Sequence, residues 1–307
     1  MYGVDRIPAR GAESVKTIVM TGATAGLGRA AAMRIVPDAH LLVGVRGRSP
    51  AGLDALPLDL ARLASVRSFV REVQNRLGDT QLDGLVLNAG TQVGNVRTRT
   101  DDGFETTFAV NHLAHYLLLR LLMPKLARGA IVVITTSNLH DPRTNRMAPP
   151  EHADAEQLAH GRVELGKSAG AMSGLRAYSA SKLCNILTAR ALALSDFARE
   201  RDLRVIAFNP GFTPGTRLTR NQPLAFRLVF AVVAPAIGFV GRMNTVASGG
   251  KFLADLACGQ IAPPPGHLYA SQVKRRLTWP DPSELALNDA VMLKLWRDSA
   301  QMVGLAQ

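Results

Sequence analysis

From residue 17 onward, short apolar runs alternate with longer stretches in which apolar residues recur every three to four positions. The short runs, near Thr17 to Met20, His40 to Val45, Ala55 to Leu58, Leu82 to Leu87, Ala130 to Thr135, Leu203 to Asn209 and Leu268 to Ser271, predict strands. Their almost unbroken apolar character fits strands covered on both faces. The longer stretches predict helices near Leu27 to Val36, Ser65 to Leu77, Asp101 to Leu126, Ala177 to Glu200 and Ser283 to Val303. Strand and helix in regular alternation is the mark of βαβ units. The expected fold is therefore α/β, a Rossmann-type doubly wound parallel sheet of about seven strands with helices on both faces. No repeat or linker divides the 307 residues, so one domain is expected.

Two segments interrupt the alternation. The first, Asn138 to Arg176, is a polar, proline-containing insertion between a strand and a helix, and connections of that length are usually functional or disordered. The second, from Thr213 to Gly249, contains the apolar run Leu228 to Val240. Both should emerge beyond the carboxyl ends of the strands, where open α/β sheets bind ligands, so the second is expected to serve as a substrate lid. The run is too short, and too interrupted by Pro235, to cross a bilayer. Lid, core element and peripheral membrane contact are the readings it leaves open.

Composition narrows the field. Hydrophobic residues make up 47% and charged residues 20%, which suits a compact globular protein. The formal net charge of +12 would suit nucleic acid, an anionic membrane or a phosphorylated ligand. However, the basic residues are scattered, apart from short clusters at Arg97 to Arg99 and Lys274 to Arg276, and aromatics are only 5%. A nucleic-acid partner is set aside, since it needs a basic stripe with aromatics interleaved. Cys184 and Cys258 lack metal-ligand or redox-pair spacing, so no metal is expected and a reducing, cytoplasmic setting fits. The first residues show no apolar signal segment.

The first strand leads into Thr21-Gly-Ala-Thr-Ala-Gly-Leu-Gly28, followed at once by a helical pattern. Glycines at 22, 26 and 28 allow a tight turn and let a pyrophosphate approach the main chain, while the helix N-terminus faces the anion. Gly22, Thr24, Ala25, Gly26, Leu27 and Gly28 are thus candidate cofactor contacts. An acid about 20 residues further on would bind the ribose 2′-hydroxyl of NAD. Here no acid lies between Asp38 and Asp54, and the second strand ends in Arg46, followed by Arg48. A guanidinium suits a 2′-phosphate, so NADP(H) is the expected cofactor.

Tyr178 and Lys182, four residues apart in a helix-forming stretch, project from one face. An ammonium beside the phenol is expected to lower its pKa and make Tyr178 a general acid or base. The spacing gains meaning from its order in the chain: glycine loop, Leu87-Asn-Ala-Gly90, Asn111, a strand ending in Ser137, Tyr178 and Lys182, then Asn209-Pro-Gly211. This ordered set resembles the short-chain dehydrogenase/reductase family over nearly the whole chain. The resemblance implies that Asn88, Ala89 and Gly90 support cofactor and sheet, and that Asp59, with Leu60, contacts the adenine. It implies that Ser137 holds the substrate oxygen, Tyr178 exchanges its proton, Lys182 binds the nicotinamide ribose and Asn111 completes a water relay. Pro210, Gly211 and Thr213 would sit against the nicotinamide.

Within the family, the chain is similar to the branch of retinol dehydrogenases and protochlorophyllide reductases. The long insertion, the stretch Tyr178-Ser-Ala-Ser-Lys-Leu-Cys-Asn-Ile-Leu-Thr188 and the C-terminal pattern at Leu295 to Leu305 point to the latter. Phe212 departs from it, because those reductases carry a cysteine there. The expected reaction is hydride transfer between NADPH and a carbonyl or alcohol on a bulky apolar small molecule. Reduction of a tetrapyrrole carbon–carbon double bond and a non-catalytic NADP-binding regulator are the alternatives. Monomer and homo-oligomer both stay open.

Overall fold

The structure, a computed structural model, describes residues 15–47, 51–164, 172–213 and 244–306. The apolar run Leu228 to Val240, nearly all of the expected lid, Arg48 and the part of the insertion from 165 to 171 lie outside the described residues.

Eight strands form one sheet in the order β3-β2-β1-β4-β5-β6-β7-β8. They are β1 (Lys16–Thr21), β2 (Ala39–Val45), β3 (Asp54–Pro57), β4 (Leu82–Leu87), β5 (Leu126–Thr135), β6 (Arg204–Asn209), β7 (Tyr269–Val273) and β8 (Arg276–Thr278). The first seven are parallel and β8 is antiparallel to β7. Strand order reverses between β1 and β4, and at that switch point the loops leave in opposite directions and open a crevice. Alternating side chains feed two cores, as a period of two requires. Ile18, Met20, Val86, Val133 and Phe208 join one cluster, with α1 (Gly26–Ile35) and α8 (Val246–Ala257) over it. Val19, Leu85, Leu87, Val132 and Ile134 join the other. That second face is covered by α2 (Leu63–Leu77), α4 (Ala114–Leu122), α6 (Ser173–Leu194) and α10 (Asp289–Met302).

The differences from the sequence-based expectation have local causes. The strand beyond the expected seven is β8. Its hairpin turns through Lys274 and Arg275 at φ 48° and 62°, left-handed conformations normally signalled by glycine or asparagine, so no turn signal marked it. The helix expected from Asp101 starts later, because the Glu105 carboxylate accepts the amides of Thr107 and Phe108 and caps α3 (Thr106–Phe108). A π-turn, Ala109–Leu113, then joins α3 to α4. The long helix expected to run to Glu200 breaks at Ser195. Its hydroxyl accepts from Ala198 N–H and caps α7 (Asp196–Glu200). Asn288 likewise divides the C-terminal helix into α9 (Glu284–Leu287) and α10. The end of the expected lid is the capped start of α8, with Thr245 and Ser248 forming a reciprocal capping box. Within the insertion, α5 (Ala155–Ala159) is capped by Asp154, and the buried Asn145 amide bonds the carbonyls of Leu139 and Ala148.

Helices α1 and α8 touch through a glycine. A Cβ added at Gly250 would meet the Ala30 Cβ at 2.5 Å and the Ala30 and Ala31 backbone at 3.0 Å. Gly250→Leu is expected to force α8 off α1 and destabilise the protein by about 1–3 kcal/mol, read as a lowered thermal midpoint with the strand signals of circular dichroism retained below it.

Candidate active site

The floor of the crevice is made where β1, β4 and β5 end. The Thr21 hydroxyl accepts the amides of Asn88 and Ala89 at 2.9 and 3.0 Å. The Asn88 side-chain amide donates to the carbonyls of Thr21 and Gly22 at 3.3 Å, and its oxygen accepts from the Thr135 hydroxyl at 3.2 Å. One asparagine thereby ties three strand ends together. Gly22 takes φ +75°, and a Cβ there would lie 2.8 Å from the Ala89 backbone. At Gly28 a Cβ would lie 2.0 Å from the Gly22 carbonyl oxygen, so the helix can approach the loop only without one.

The residues present fit a dinucleotide. Helix α1 has no capping side chain at Ala25 and no acid in its first turn, so its N-terminal amides are open to an anion. Thr24 is exposed beside them, Gly26 is half-buried at φ +55°, and Leu27 turns into the core. Arg46 stands exposed just past β2, with no hydrogen bond or ion pair among the described residues. Asp59 is half-buried past β3. Its Oδ1 accepts from Ala61 N–H, while neighbouring Leu60 packs into the core rather than into the crevice.

Helix α6 brings the titratable groups to the end of β5. Lys182, 3% exposed, donates from Nζ to the Thr135 carbonyl at 3.1 Å, and Asn185 donates to the same oxygen at 3.0 Å. The Thr136 hydroxyl donates to the Lys182 carbonyl at 2.7 Å. Burial lowers the Lys182 pKa to about 8. Its ammonium sits 5.6 Å from the Tyr178 ring centroid. Burial raises the Tyr178 phenol above its ordinary value, and the Ser137 hydroxyl pulls it partway back. This corrects the expectation of a lowered phenol. Phenol and ammonium are both buried, so the desolvation of a phenolate sets the direction of the Tyr178 shift, and the same burial makes Lys182 hold its proton less firmly. Ser137, half-buried, also caps a short 3-10 turn, Asn138–His140, by accepting Leu139 N–H. Asn111 lies in the π-turn. Its amide donates to the Thr91 carbonyl and the Ser181 hydroxyl at 2.9 Å each, and its Oδ1 accepts Thr91 N–H at 2.8 Å. Gly90 is exposed between these groups: a Cβ there would be 3.5 Å from Lys182 Nζ and 3.4 Å from Asn111 Oδ1.

A further wall follows β6. Gly211 takes φ +64°, and a Cβ there would strike Asn244 at 2.4 Å. The Thr213 hydroxyl donates to the carbonyls of Pro210 and Gly211.

Against this geometry, the comparisons with known proteins decide the family. A family model described as short chain dehydrogenase matches residues 16–148. Protochlorophyllide reductase A of Hordeum vulgare is 31% identical over 94% of this chain and 80% of its own length. Retinol dehydrogenase 14 of Mus musculus is 31% identical over 94% of this chain and 86% of its own. This chain belongs to the short-chain dehydrogenase family. It falls in the branch of those relatives, and the class carries an oxidoreductase reaction on a small molecule with a nicotinamide cofactor. A crystal structure of an uncharacterised Mycobacterium paratuberculosis protein superposes with a TM-score of 0.65 at 25% identity, covering 94% of each chain. Among the described residues no helix is long and apolar enough to cross a membrane.

In this short-chain dehydrogenase, the structure adds residues that the motifs did not reveal. Asn244 donates to the carbonyls of Pro210 and Gln272 at 2.9 Å and accepts Arg275 N–H, latching the post-β6 wall to the strained β7–β8 hairpin. His140 Nε2 accepts Ser283 N–H, so its proton is on Nδ1, which donates to the Ser137 carbonyl at 2.7 Å. His115 lies four residues past Asn111, and that i+4 spacing was the one available signal. Cys184 is fully buried, and burial pushes its thiol up, as for a packed rather than a reactive cysteine.

The Lys182 shift has a stability consequence with a definite sign. Its folded-state pKa of about 8 lies below the ordinary 10.5, so between those values the unfolded chain binds the additional proton. The cost of burying the ammonium is full below pH 8 and fades toward pH 10.5, so this group makes stability rise with pH across that window. Urea unfolding is expected to show the stability difference between Lys182→Met and the parent changing in the parent's favour across pH 8 to 10.5, and staying constant between pH 6 and 7.5.

Proposed function

We propose that this chain is an NADP(H)-dependent dehydrogenase/reductase that transfers hydride between NADPH and a carbonyl or alcohol carbon of a bulky apolar small molecule. The whole chain serves as one dinucleotide-binding and catalytic domain, and the insertion at 138–176 bears on the substrate. The observation that carries the reading is the meeting of Tyr178, Ser137 and Lys182 at the end of β5, beside an uncapped helix N-terminus. The α1 amides would hold the pyrophosphate, Asp59 the adenine edge and Arg46 the 2′-phosphate. The exposed, unpaired state of Arg46 among the described residues supports that last assignment. Bound NADPH would supply the hydride.

The chain's own groups handle the proton. Ser137 Oγ and the Tyr178 hydroxyl hold the substrate oxygen. With its pKa raised, Tyr178 is a neutral phenol near pH 7 and carries the proton that the developing alkoxide takes up. Lys182 stabilises the resulting phenolate and would hold the nicotinamide ribose hydroxyls, while Asn111 fixes the segment opposite. A phenol kept loaded with its proton suits the reducing direction. Retinol dehydrogenase 14 acts, by its name, on an alcohol, which supports this chemistry.

A second reading, reduction of a tetrapyrrole double bond, draws support from the Hordeum vulgare relative. Phe212 weighs against it: the half-buried residue after Gly211 has no thiol with which to deliver a proton. Light-dependent turnover of a bound tetrapyrrole would decide for this reading.

Tyr178→Phe is expected to lower turnover at least a hundredfold while leaving NADPH affinity within about threefold, measured by NADPH oxidation against ketone, aldehyde and quinone panels and by NADPH fluorescence. Surviving activity would remove the proton-donor role. Arg46→Asp is expected to raise the Michaelis constant for NADPH at least tenfold with little change for NADH. An unchanged preference would overturn the choice of NADP.

A further inference from the structure

His115 is buried at 2% exposure and touches both halves of the site. Its Nε2 lies 3.0 Å from the Thr21 hydroxyl, and its Nδ1 lies 3.1 Å from the Asn111 carbonyl oxygen. The hydrogen-bonding inventory fixes where the protons are. A hydroxyl has one proton and two lone pairs. Both acceptor positions of Thr21 Oγ1 are taken by the amides of Asn88 and Ala89, so its proton points at His115 Nε2. Nε2 therefore accepts, and the ring proton sits on Nδ1, the only nitrogen able to donate to Asn111. An imidazolium would set an N–H against a hydroxyl with no lone pair to offer. Consistently, burial and the nearby Lys182 charge depress the His115 pKa to about 4. The Asn111 side chain is already engaged by Thr91 and Ser181, so its carbonyl is the group left for the ring.

We propose that His115, neutral with its proton on Nδ1, is a positioning residue that holds the dinucleotide-loop floor and the catalytic segment at a fixed separation. One arm acts through Thr21 on the Asn88–Gly90 turn, which faces the cofactor. The other arm acts through Asn111, whose side chain meets the α6 turn carrying Tyr178 and Lys182 by way of Ser181. The inference rests on the proposed catalytic roles of Asn111, Tyr178 and Lys182. It adds that the two arms are separable: the Thr21 arm governs cofactor affinity, and the Asn111 arm governs turnover.

Three substitutions separate the arms. In His115→Asn the amide nitrogen falls near the position of Nδ1 and can keep the Asn111 bond. In His115→Gln the longer side chain can keep the Thr21 bond. His115→Phe keeps the ring and removes both. With NADPH fluorescence as the binding readout and phenanthrenequinone reduction as the turnover probe, His115→Phe is expected to lose about tenfold or more in both. His115→Asn should lose more in affinity than in kcat, and His115→Gln more in kcat than in affinity. Proton–nitrogen NMR of ring-labelled histidine in the parent should show a protonated Nδ1 and an unprotonated Nε2 down to pH 5. A proton on Nε2, or parallel losses in both parameters for His115→Asn and His115→Gln that follow their thermal midpoints, would overturn the proposal, the latter marking His115 as a packing residue. Should His115→Phe fail to fold, the Asn and Gln variants and the tautomer still decide. Failure of the parent to bind NADPH would overturn the cofactor reading instead, since the tautomer is measured without cofactor.

Discussion

An ammonium group almost without solvent has to find an oxygen, and at the end of β5 the Thr135 carbonyl gives it one. Much of the site follows from that bond. Because Lys182 and Asn185 both donate to Thr135, and Thr136 donates back to the Lys182 carbonyl, one turn of α6 is locked onto the strand. Tyr178, one helical turn earlier, is then carried over the place where β5 gives way to Ser137. The spacing of Tyr178 and Lys182 is a local property of a helix, but its position over the sheet is set by three hydrogen bonds to two consecutive threonines.

The remainder of the crevice is closed by the same demand that buried polar groups be paired. Asn88 ties three strand ends, Asn111 bonds in both directions with Thr91, and Asn244 joins Pro210 to the β7–β8 hairpin. His115 and His140 each bridge segments distant in the chain, and each is held neutral with its proton on Nδ1 by a partner that can only donate to Nε2. Among the described residues, these networks leave the α1 amides and the Arg46 guanidinium without a protein partner at the crevice, while the Ser137 and Tyr178 hydroxyls bond each other beside it. Hydrogen-bond networks of this kind rigidify a site before any ligand arrives, which lowers the cost of orienting a ligand there.

Family membership and structure bear on different parts of the function. The relatives set the reaction class. The packing of the pocket sets the protonation of its groups, with a phenol raised by burial and a lysine lowered by it. Relatives of nearly equal similarity bear different activities in their names, a protochlorophyllide reductase and a retinol dehydrogenase, so family membership leaves the substrate open.

The linear sequence determined whatever depends on neighbours in the chain. Strand periodicity, the glycine turn, the four-residue spacing of Tyr178 and Lys182 and the missing acid before Arg46 are all local patterns, and the doubly wound sheet and the candidate site were legible from them. What depends on distant partners was decided only by the tertiary structure. Strand β8 turns on residues with no turn signature, and the helix breaks at Glu105, Ser195 and Asn288 rest on side chains bonding amides instead of continuing a pattern. The direction of the Tyr178 shift was misread for the same reason. A charged neighbour is visible in the sequence, whereas the loss of water around both groups is a property of the packed fold. His115 states the difference most plainly: its place four residues after Asn111 was always readable, but its tautomer is dictated by Thr21, 94 residues away.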